Sequence, residues 1–280
     1  MKILALILAV VAALATQSGR AGTAHVPQSE RAVVWAVGDA AAPLPAARRL
    51  AATIRRAQPD RFLYLGDVYE YGTAAEFRRG YDPLYGSLAG ITEPTPGNHE
   101  WGNRLSGYYP YWRAKKGHSQ PPWSSVRVAG WELLDLNSEA AHGAGSRQLR
   151  WLDRAVASGG DCRIAFWHRP RFSAGLVHGD APDTAPLWNA LRGRARAVLS
   201  GHEHDLQRLR PRGGLTQYVA GAGGRSRYAL SGRDPRLAWG SDDREGALRI
   251  VLEPDSASFE FRDAAGRLLD RSSTTCTPAR

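Results

Sequence analysis

Short apolar runs alternate with helix-forming segments along most of this chain. Each run is followed by polar residues, which is typical of a strand that is buried on at least one face. The runs are RAVVWAVGD, DRFLYLGD, GWELLDLNS, CRIAFWH, ARAVLSGHEH and TQYVAGAGG. Between them, PAARRLAATIRRA and SRQLRWLDRAVAS repeat apolar residues every three or four positions, and Ser146 is placed to cap the second helix. This alternation predicts a layered α/β domain.

The stretch from Tyr69 to about Pro122 interrupts the alternation. It is rich in Tyr, Gly, Trp and Pro and has little periodicity. We expect a long elaborated loop region with short helices there. Ordered loops of this length usually carry function.

The composition of the chain limits the fold classes and the kinds of partner that are expected. The chain has 280 residues, of which 43% are hydrophobic and 23% are charged, as in ordinary globular proteins. We expect a single catalytic domain over residues 31–270 and a C-terminal tail over residues 271–280. The net charge of +10 comes from arginines scattered along the chain. Since no basic run is interleaved with aromatic residues, nucleic acid is not expected as the main partner.

The first residues, MKILALILAVVAALA, predict export from the cytoplasm. A lysine precedes an apolar run that is too short to span a bilayer comfortably, and an Ala13-x-Ala15 cleavage pattern follows. We therefore interpret residues 1–24 as a signal peptide with a short leader, and we expect a secreted or periplasmic protein without a stable membrane span. An uncleaved anchor is the alternative. The cysteine pair, Cys162 and Cys276, is expected to form a disulfide in an exported protein.

Polar residues capable of holding metals follow five of the predicted strands. Each has an ordinary explanation when taken singly, such as a helix cap or a histidine satisfied by the backbone. Together they bring two carboxylates, an amide and three imidazoles to one edge of a sheet, where open α/β sheets place their ligands. This set suits Zn, Mn or Fe and is too large for one tetrahedral ion, so we expect two ions that share a carboxylate. The residues are Asp39, Asp67, Asn98, His168, His202 and His204.

The motifs GDA, GDVYEY, GNHE, IAFWH and GHEH resemble those of the calcineurin-like metallophosphoesterases, and within them the purple acid phosphatase type. They occur in the family's order between Ala32 and Arg208. The resemblance implies an α/β fold, a four-layer α/β/β/α sandwich of two mixed sheets flanked by helices. It also implies a centre of two divalent or trivalent metal ions, Fe with Zn, Mn or Fe.

The resemblance assigns a role to each ligand. Asp39 and His204 bind the first metal, Asn98, His168 and His202 bind the second, and Asp67 bridges the two. This chain lacks the histidine of the DxH motif that many members have in the first position. In the purple acid phosphatases a tyrosine offsets that loss, but here its expected position holds Glu70. A shift of one residue to Tyr69 or Tyr71 restores a phenolate ligand, or the first metal has a different coordination; we prefer Tyr69.

Two further histidines are expected to act on substrate. His99 follows Asn98 without ligating, and it is a candidate for binding phosphate oxygens or for protonating the leaving group. His178 resembles the substrate-facing histidine of the purple acid phosphatases, with an exposed loop histidine as the alternative. The glycines of GAGG, Gly221 to Gly224, are expected to form a tight turn near the site rather than a phosphate cradle.

The resulting functional hypothesis is a dinuclear metallophosphatase that hydrolyses small phosphomonoesters. Two metals supply what this slow reaction needs, because one positioned acid or base contributes only about 10² to 10⁴ in rate. A phosphodiesterase or a nucleotide pyrophosphatase on the same site is the alternative. A non-catalytic phosphate-binding module is a further one. The sequence carries no indication of the oligomeric state.

Overall fold

The computed structural model describes residues 30–42 and 44–278. The predicted signal peptide and leader, residues 1–24, lie outside the described residues. Among the helices that are described, none has the length and apolar character to cross a membrane.

Most of the described chain is built from strands. In chain order they are β1 (Ala32–Val37), β2 (Arg61–Tyr64), β3 (Thr92–Pro94), β4 (Ser124–Val128), β5 (Trp131–Asp135), β6 (Arg163–Phe166), β7 (Ala197–Ser200), β8 (Leu206–Leu209), β9 (Thr216–Ala220), β10 (Leu237–Ser241), β11 (Gly246–Glu253), β12 (Ser256–Asp263) and β13 (Leu268–Thr275).

The helices lie mainly between the early strands. They are α1 (Pro45–Arg56), α2 (Ala74–Glu76), α3 (Asp82–Tyr85), α4 (Asn98–Trp101), α5 (Tyr108–Lys116), α6 (Arg147–Ala155) and α7 (Ala185–Leu191). A π-helical turn over Phe77–Tyr81 joins α2 to α3, and 3-10 turns cover Gly86–Ile91 and Pro182–Thr184. The region predicted as an elaborated loop with short helices therefore contains α2 to α5.

The strands form two mixed sheets. The first sheet has the order β13-β12-β11-β1-β2-β3, and the second has the order β10-β8-β9-β7-β6-β5-β4. In the first sheet, β1, β2 and β3 run parallel, while β11, β12 and β13 are antiparallel neighbours. In the second, β5, β6, β7 and β9 are parallel. The parallel strands of each sheet thus end at a common edge.

Side-chain alternation along β1 explains the four layers. Val34 and Ala36 point between the two sheets and pack with Ile164 and Leu199 of the second sheet. Trp35, with the opposite orientation, packs under α1 and the helices of residues 74–116. On the outer face of the second sheet, a separate apolar cluster lies under α6 and α7. The order of layers is helices, sheet, sheet, helices, which confirms the predicted sandwich.

The strands and helices expected from periodicity are present. The six apolar runs form β1, β2, β5, β6, β7 and β9, and the two amphipathic segments form α1 and α6. At the start of α6, the Ser146 hydroxyl accepts the backbone N–H of Leu149 at 3.1 Å, as predicted for the cap.

The end of the chain differs from the expected tail. Residues 271–275 belong to β13, which pairs along its length with β12. Only alternate residues of β13 are partly covered, so the strand carries no apolar period that the sequence would reveal. Arg271 is held by Glu260 at 2.7 Å, and Cys276 forms a disulfide with Cys162, as predicted. The predicted boundary at residue 270 therefore needs correction, because the sheet continues to Thr275.

Candidate metal centre

The predicted ligands meet where the carboxyl ends of the two sheets face each other. We expected one edge of one sheet, but each sheet supplies half of the set. The first sheet places Asp39 after β1, Asp67 after β2 and Asn98 after β3. The second sheet places His168 after β6, and His202 and His204 after β7. The site is therefore a junction between the two central layers.

Three of these residues have an unusual backbone conformation. Asp39, Asp67 and His202 have φ angles of 58°, 69° and 71°. Such left-handed conformations cost of order 1–3 kcal/mol for a residue with a side chain, and they persist only where the surrounding structure enforces them. Directing these three side chains into the site therefore lowers the stability of the fold.

Two glycines show how closely the loops approach. A Cβ on Gly97 would lie 2.1 Å from the Oδ1 of Asp67. A Cβ on Gly221 would lie 2.0 Å from the carbonyl oxygen of Glu203 and 2.8 Å from the Oδ2 of Asp39. The GAGG segment thus packs directly against the loop of Asp39, in agreement with a tight turn near the site.

The first half of the site contains Asp39, Tyr69 and His204. The Tyr69 hydroxyl lies 2.9 Å from Asp39 Oδ1 and 2.9 Å from His204 Nε2. His204 Nδ1 donates to the Ser226 carbonyl at 2.6 Å, which directs Nε2 into the site. Burial and the two aspartates Asp39 and Asp67 raise the pKa of Tyr69 well above its ordinary value. A phenolate here therefore requires a compensating cation.

The two candidate tyrosines lie in different places relative to the cluster. Tyr71 is 67% exposed and faces away from the cluster, whereas Tyr69 is buried within it. Glu70, at the position where a tyrosine was expected, forms an ion pair with Arg225 at the rim. The Arg225 guanidinium also lies over the Tyr69 ring, 4.6 Å from its centroid. Tyr69 is thus the phenol that reaches the predicted first-metal ligands.

The second half of the site is arranged around the Nε2 atom of His168. It lies 3.1 Å from Asn98 Oδ1, 3.1 Å from His202 Nδ1 and 3.4 Å from Asp67 Oδ1. His168 Nδ1 donates to the Leu65 carbonyl at 2.8 Å, which fixes the ring. One proton on Nε2 cannot serve three facing atoms, whereas a shared cation can. One ligand atom each from Asp67, His168 and His202 also falls within 4.8 Å of the others.

Electrostatics in this half follow from burial. Burial alone would lower the pKa of His168, but the facing carboxylate of Asp67 outweighs it and raises the pKa to about 10. Burial likewise opposes ionisation of Asp67, yet His168 lowers the pKa of Asp67 below its usual range. Burial and the charge on His168 lower the pKa of His202. The pocket therefore requires positive charge beside Asp67, which a metal ion would supply.

Asp67 is the residue that contacts both halves. Its Oδ2 lies 3.3 Å from the Tyr69 hydroxyl, and its Oδ1 lies 3.4 Å from His168 Nε2. A carboxylate with one oxygen on each side fits the bridging position. The donor set as a whole fits two borderline metal ions, because it combines carboxylate, imidazole, amide and phenol groups.

His99 lies beside the ligands rather than among them. Its backbone N–H donates to Asp67 Oδ1 at 3.1 Å, and its ring Nδ1 donates to the Glu70 carbonyl. The ring packs edge-on to Tyr69 with centroids 4.5 Å apart, and its side chain is 31% exposed. The Nε2 atom lies 3.7 Å from Asp67 Oδ2, the carboxylate predicted to bridge the two metals.

His178 approaches from the loop that follows β6. Its ring stacks on His202 with centroids 4.1 Å apart and planes inclined by 22°. Tyr228 lies edge-on at 5.5 Å. Burial and the nearby His204 lower the pKa of His178, which favours the neutral ring. His178 is an exposed loop residue, as the alternative held, and its ring nevertheless contacts the metal-ligand candidate His202.

Sequence reasoning missed two buried carboxylates that support the ligand loops. The Glu100 carboxylate accepts the backbone N–H groups of Asp67 and Val68, both at 3.1 Å. Burial and the charge of Asp67 raise the pKa of Glu100 to about 8. Glu100 is the fourth residue of the GNHE motif, and its acidic side chain is the feature of the sequence that could have identified it.

Glu203 is the second missed carboxylate. It lies between His202 and His204, and its Oε1 accepts the backbone N–H of His178 at 2.8 Å and that of Gly179. A Cβ on Gly175 would lie 2.3 Å from its carboxyl carbon, so the loop backbone packs against it. No local pattern marked this residue, because the left-handed backbone at His202 breaks the alternation of an extended strand. Tyr228, stacked on His204 at 3.9 Å, had no signal in the sequence.

Comparison with known proteins agrees with this geometry. The model of the calcineurin-like phosphoesterase family matches residues 32–206. A probable cyclic nucleotide phosphodiesterase of Synechococcus sp. is 26% identical over 226 residues, which cover 76% of this chain and 80% of the relative.

Solved structures show the same fold. A purple acid phosphatase from yellow lupin (Lupinus luteus) seeds superposes with a TM-score of 0.74 at 15% identity, over 89% of this chain and 54% of that chain. This chain thus spans about half the length of the lupin enzyme. GAP50, the anchor in the inner membrane complex of Plasmodium, superposes with a TM-score of 0.70 at 13% identity, over 89% of this chain and 90% of that chain.

Proposed function

This chain belongs to the calcineurin-like phosphoesterase family, and on that basis we propose that it is a dinuclear metallophosphatase that hydrolyses small phosphomonoesters. One observation carries the proposal. Two groups of donor side chains converge from the two sheets, and Asp67 contacts both. A bridged pair of ions explains why so many buried ligands surround so small a space.

The ligands divide as the sequence motifs suggested. Asp39, Tyr69 and His204 would hold one ion, and Asn98, His168 and His202 would hold the other, with Asp67 between them. Metal ions held there supply Lewis acidity toward the phosphoryl group and the attacking water. Iron paired with Zn, Mn or a second iron fits the phenol, imidazole and carboxylate set.

The protein's own groups then orient the substrate. His99 is partly exposed, and its Nε2, 3.7 Å from Asp67 Oδ2, would bind a phosphate oxygen or protonate the leaving alcohol. His178 stacks on His202 and would donate to a phosphoryl oxygen. Burial of Asp39 and Asp67 excludes water from the ligand layer, which strengthens each electrostatic contact.

The Synechococcus relative supports a second candidate, a phosphodiesterase on the same site. A third, a non-catalytic module, is supported by the resemblance to GAP50, an anchor protein. The donor set and the two substrate-facing histidines favour catalysis.

We propose an exported location on the basis of the disulfide and the amino-terminal sequence. A bond between Cys162 and Cys276 is stable in an oxidising compartment, which supports secretion or a periplasmic location after removal of residues 1–24. We place the catalytic domain at residues 31–275.

The test compares the release of product from an aryl monoester, an aryl diester, a nucleotide and a cyclic nucleotide by the purified metal-loaded protein. We expect the monoester to be preferred in kcat/KM. Preference for the diester or the cyclic nucleotide would favour the phosphodiesterase. Absence of turnover with a full metal content would favour the non-catalytic module. Elemental analysis and an absorption spectrum of the same sample identify the ions and report a tyrosine–iron bond.

A further inference from the structure

An arginine-lined cavity lies on the outer face of the second sheet, beside α7. Its volume is about 460 Å³, and its wall includes Arg171, Arg192, Arg212, Phe172, Trp188 and Asn189. Among the described residues that line it there is no carboxylate. The cavity is therefore a concentrated positive region.

None of the predicted metal ligands lines the cavity. Arg192 lies in the connection that enters β7, and Arg212 lies in the turn that enters β9. The metal ligands and the GAGG turn follow the other ends of these two strands. Arg171 and Phe172 belong to the loop that leaves β6 and come three and four residues after His168, so this loop supplies the other side of the cavity.

Two of the arginines are organised by one aromatic ring. The Cζ atoms of Arg171 and Arg212 lie 4.3 Å and 4.5 Å from the centroid of Phe172. Phe172 in turn packs edge-on against Trp188, which is nearly buried, with centroids 5.0 Å apart. A cation over an aromatic ring is attracted to it, so the ring of Phe172 restrains both guanidinium groups at the cavity.

The three arginines have no anionic partner within the described part of the chain. Their side chains make none of the hydrogen bonds or ion pairs found there, although most other arginines of the second sheet do. Arg236 is the informative contrast, because it lies 5.9 Å from the same ring and is paired with Asp180 and Asp234. Three like charges without partners at one cavity repel each other, and an anion relieves that cost.

We propose that this cavity is a binding site for a small anion that carries two or more neighbouring phosphoryl groups. Guanidinium groups match phosphate oxygens in geometry and keep their charge at every physiological pH. One phosphoryl monoester carries about −1.5 to −2 charges, so three arginines exceed what a single group neutralises. Such a site would also explain why the chain carries some of its many arginines.

The experiment measures binding of methylenediphosphonate, a diphosphate analogue without a hydrolysable P–O–P bond, to the metal-loaded protein by isothermal titration calorimetry. We expect one event at the cavity besides any at the metal centre. The variant Arg171→Gln with Arg212→Gln should weaken the cavity event by about tenfold or more, since it removes two charged donors. Its kcat/KM for an aryl phosphate should remain that of the wild type.

Arg48→Gln is the matched control, because Arg48 is an exposed arginine of α1 without an ion pair in the described structure. It removes a charge of the same sign away from the cavity and should leave the isotherm unchanged. Equal weakening in the control would reduce the effect to net charge and overturn the proposal. An unchanged isotherm in the double variant would also overturn it.

Two further arms distinguish the source of the phosphate. Binding to vesicles of phosphatidylcholine with and without phosphatidylglycerol tests a lipid headgroup, and binding to a single-stranded oligonucleotide tests nucleic acid. Loss of either in the double variant, with methylenediphosphonate binding intact, would contradict a small-anion site. Because binding is measured apart from turnover, an inactive protein would refute the proposed function and leave this inference in place.

Discussion

Strand β6 is built differently at its two ends, and the difference separates stability from function. At its start, the buried guanidinium of Arg163 donates to Glu132 at 2.8 Å, to the Gly160 carbonyl at 2.8 Å and to Ser158 Oγ at 2.7 Å. The neighbouring Cys162 is bonded to Cys276. Each polar group of this end is satisfied by the protein itself, so this end stabilises the fold.

Just beyond its other end, polar groups compete with each other. His168 is fully buried, and its Nε2 faces three atoms that one proton cannot satisfy. Asp67, on the facing loop, is held at a positive φ angle. Buried groups that remain unsatisfied are costly unless a ligand completes them. This end therefore depends on a ligand, whereas the start of the strand does not.

The largest effect is expected from Asp67→Asn. The amide keeps the shape but removes the charge that contacts both halves, so both metals and the activity should be lost together. We expect a loss in turnover greater than the 10- to 100-fold typical of residues that only support ligands. The test measures metal content by elemental analysis and turnover on one preparation of the variant. Thermal unfolding of the same preparation shows whether the variant is folded.

Asn98→Ala and His202→Ala provide the matched comparison for Asp67. Each lies in the second half only, so each should deplete one metal in preference to the other. Two metals retained with near-normal turnover in Asp67→Asn would remove the bridging role. Equal loss of both metals in either control would contradict the division into halves.

His99→Asn should separate chemistry from metal binding. Because His99 lies beside the ligands rather than among them, its loss should leave the metal content intact. Turnover of alkyl phosphates should fall by about 10² to 10⁴, the contribution of a positioned acid or phosphate donor. An activated aryl phosphate should lose less, since its leaving group hardly needs a proton.

The substrate comparison also identifies the role of His99. An equal fall in rate for alkyl and aryl phosphates would assign it to phosphate binding rather than to proton donation. Loss of metal from His99→Asn would make it a ligand and would contradict the position described here.

The start of β6 should respond in the opposite way. Replacing both cysteines, Cys162→Ser with Cys276→Ser, removes a link that spans 114 residues. The free energy of unfolding should fall by about 2 to 5 kcal/mol in the chain-entropy account of disulfides. Turnover per folded molecule should remain unchanged, because the disulfide lies at the end of the strand away from the metals.

Denaturant unfolding and single-temperature kinetics measure the two quantities separately. A variant with wild-type stability would show that the disulfide contributes nothing to the folded state. A fall in turnover at full folding would show that the two ends of β6 are coupled.

The functional end was also the more predictable of the two from sequence. Apolar runs that end in Asp, Asn or His can be recognised in the sequence. The strands β1, β2, β6 and β7 are buried on both faces, and the predicted ligands come within a few residues of their ends. β13, by contrast, reads LLDRSSTT and is held by pairing with β12 rather than by an apolar face. No local pattern distinguishes such an edge strand from a tail.

The sequence does not show how the two sheets pack against each other. The spacing of motifs predicts which residues are ligands, but only the packing of the layers places Asp67 against His168. For the same reason, Tyr69 and Tyr71 were equivalent along the chain and differ in space. Glu203 was hidden because its partners, the backbone groups of His178 and Gly179, lie 25 and 24 residues away.

The smallest expected effect concerns Glu203, which we interpret as a positioning residue for His178. Its Oε1 accepts both loop N–H groups, and its Oε2 has no partner in the described structure. Glu203→Gln retains an acceptor of the same shape, whereas Glu203→Ala removes it and frees the loop. We expect the alanine variant to lose about 10- to 100-fold in kcat/KM with its metals retained, as for residues that support a site. The glutamine variant should remain near the wild type.

A double-mutant cycle decides whether Glu203 acts through His178. If the carboxylate serves only to hold that ring against His202, Glu203→Ala combined with His178→Ala should be no slower than His178→Ala alone, because residues that act as a unit are not additive. Additive losses would mean that Glu203 supports the two flanking metal ligands, and metal loss from Glu203→Ala would point the same way. In that case the functional end of β6 would contain a stabilising group of its own, because Glu203 would support the loop that carries the metal ligands.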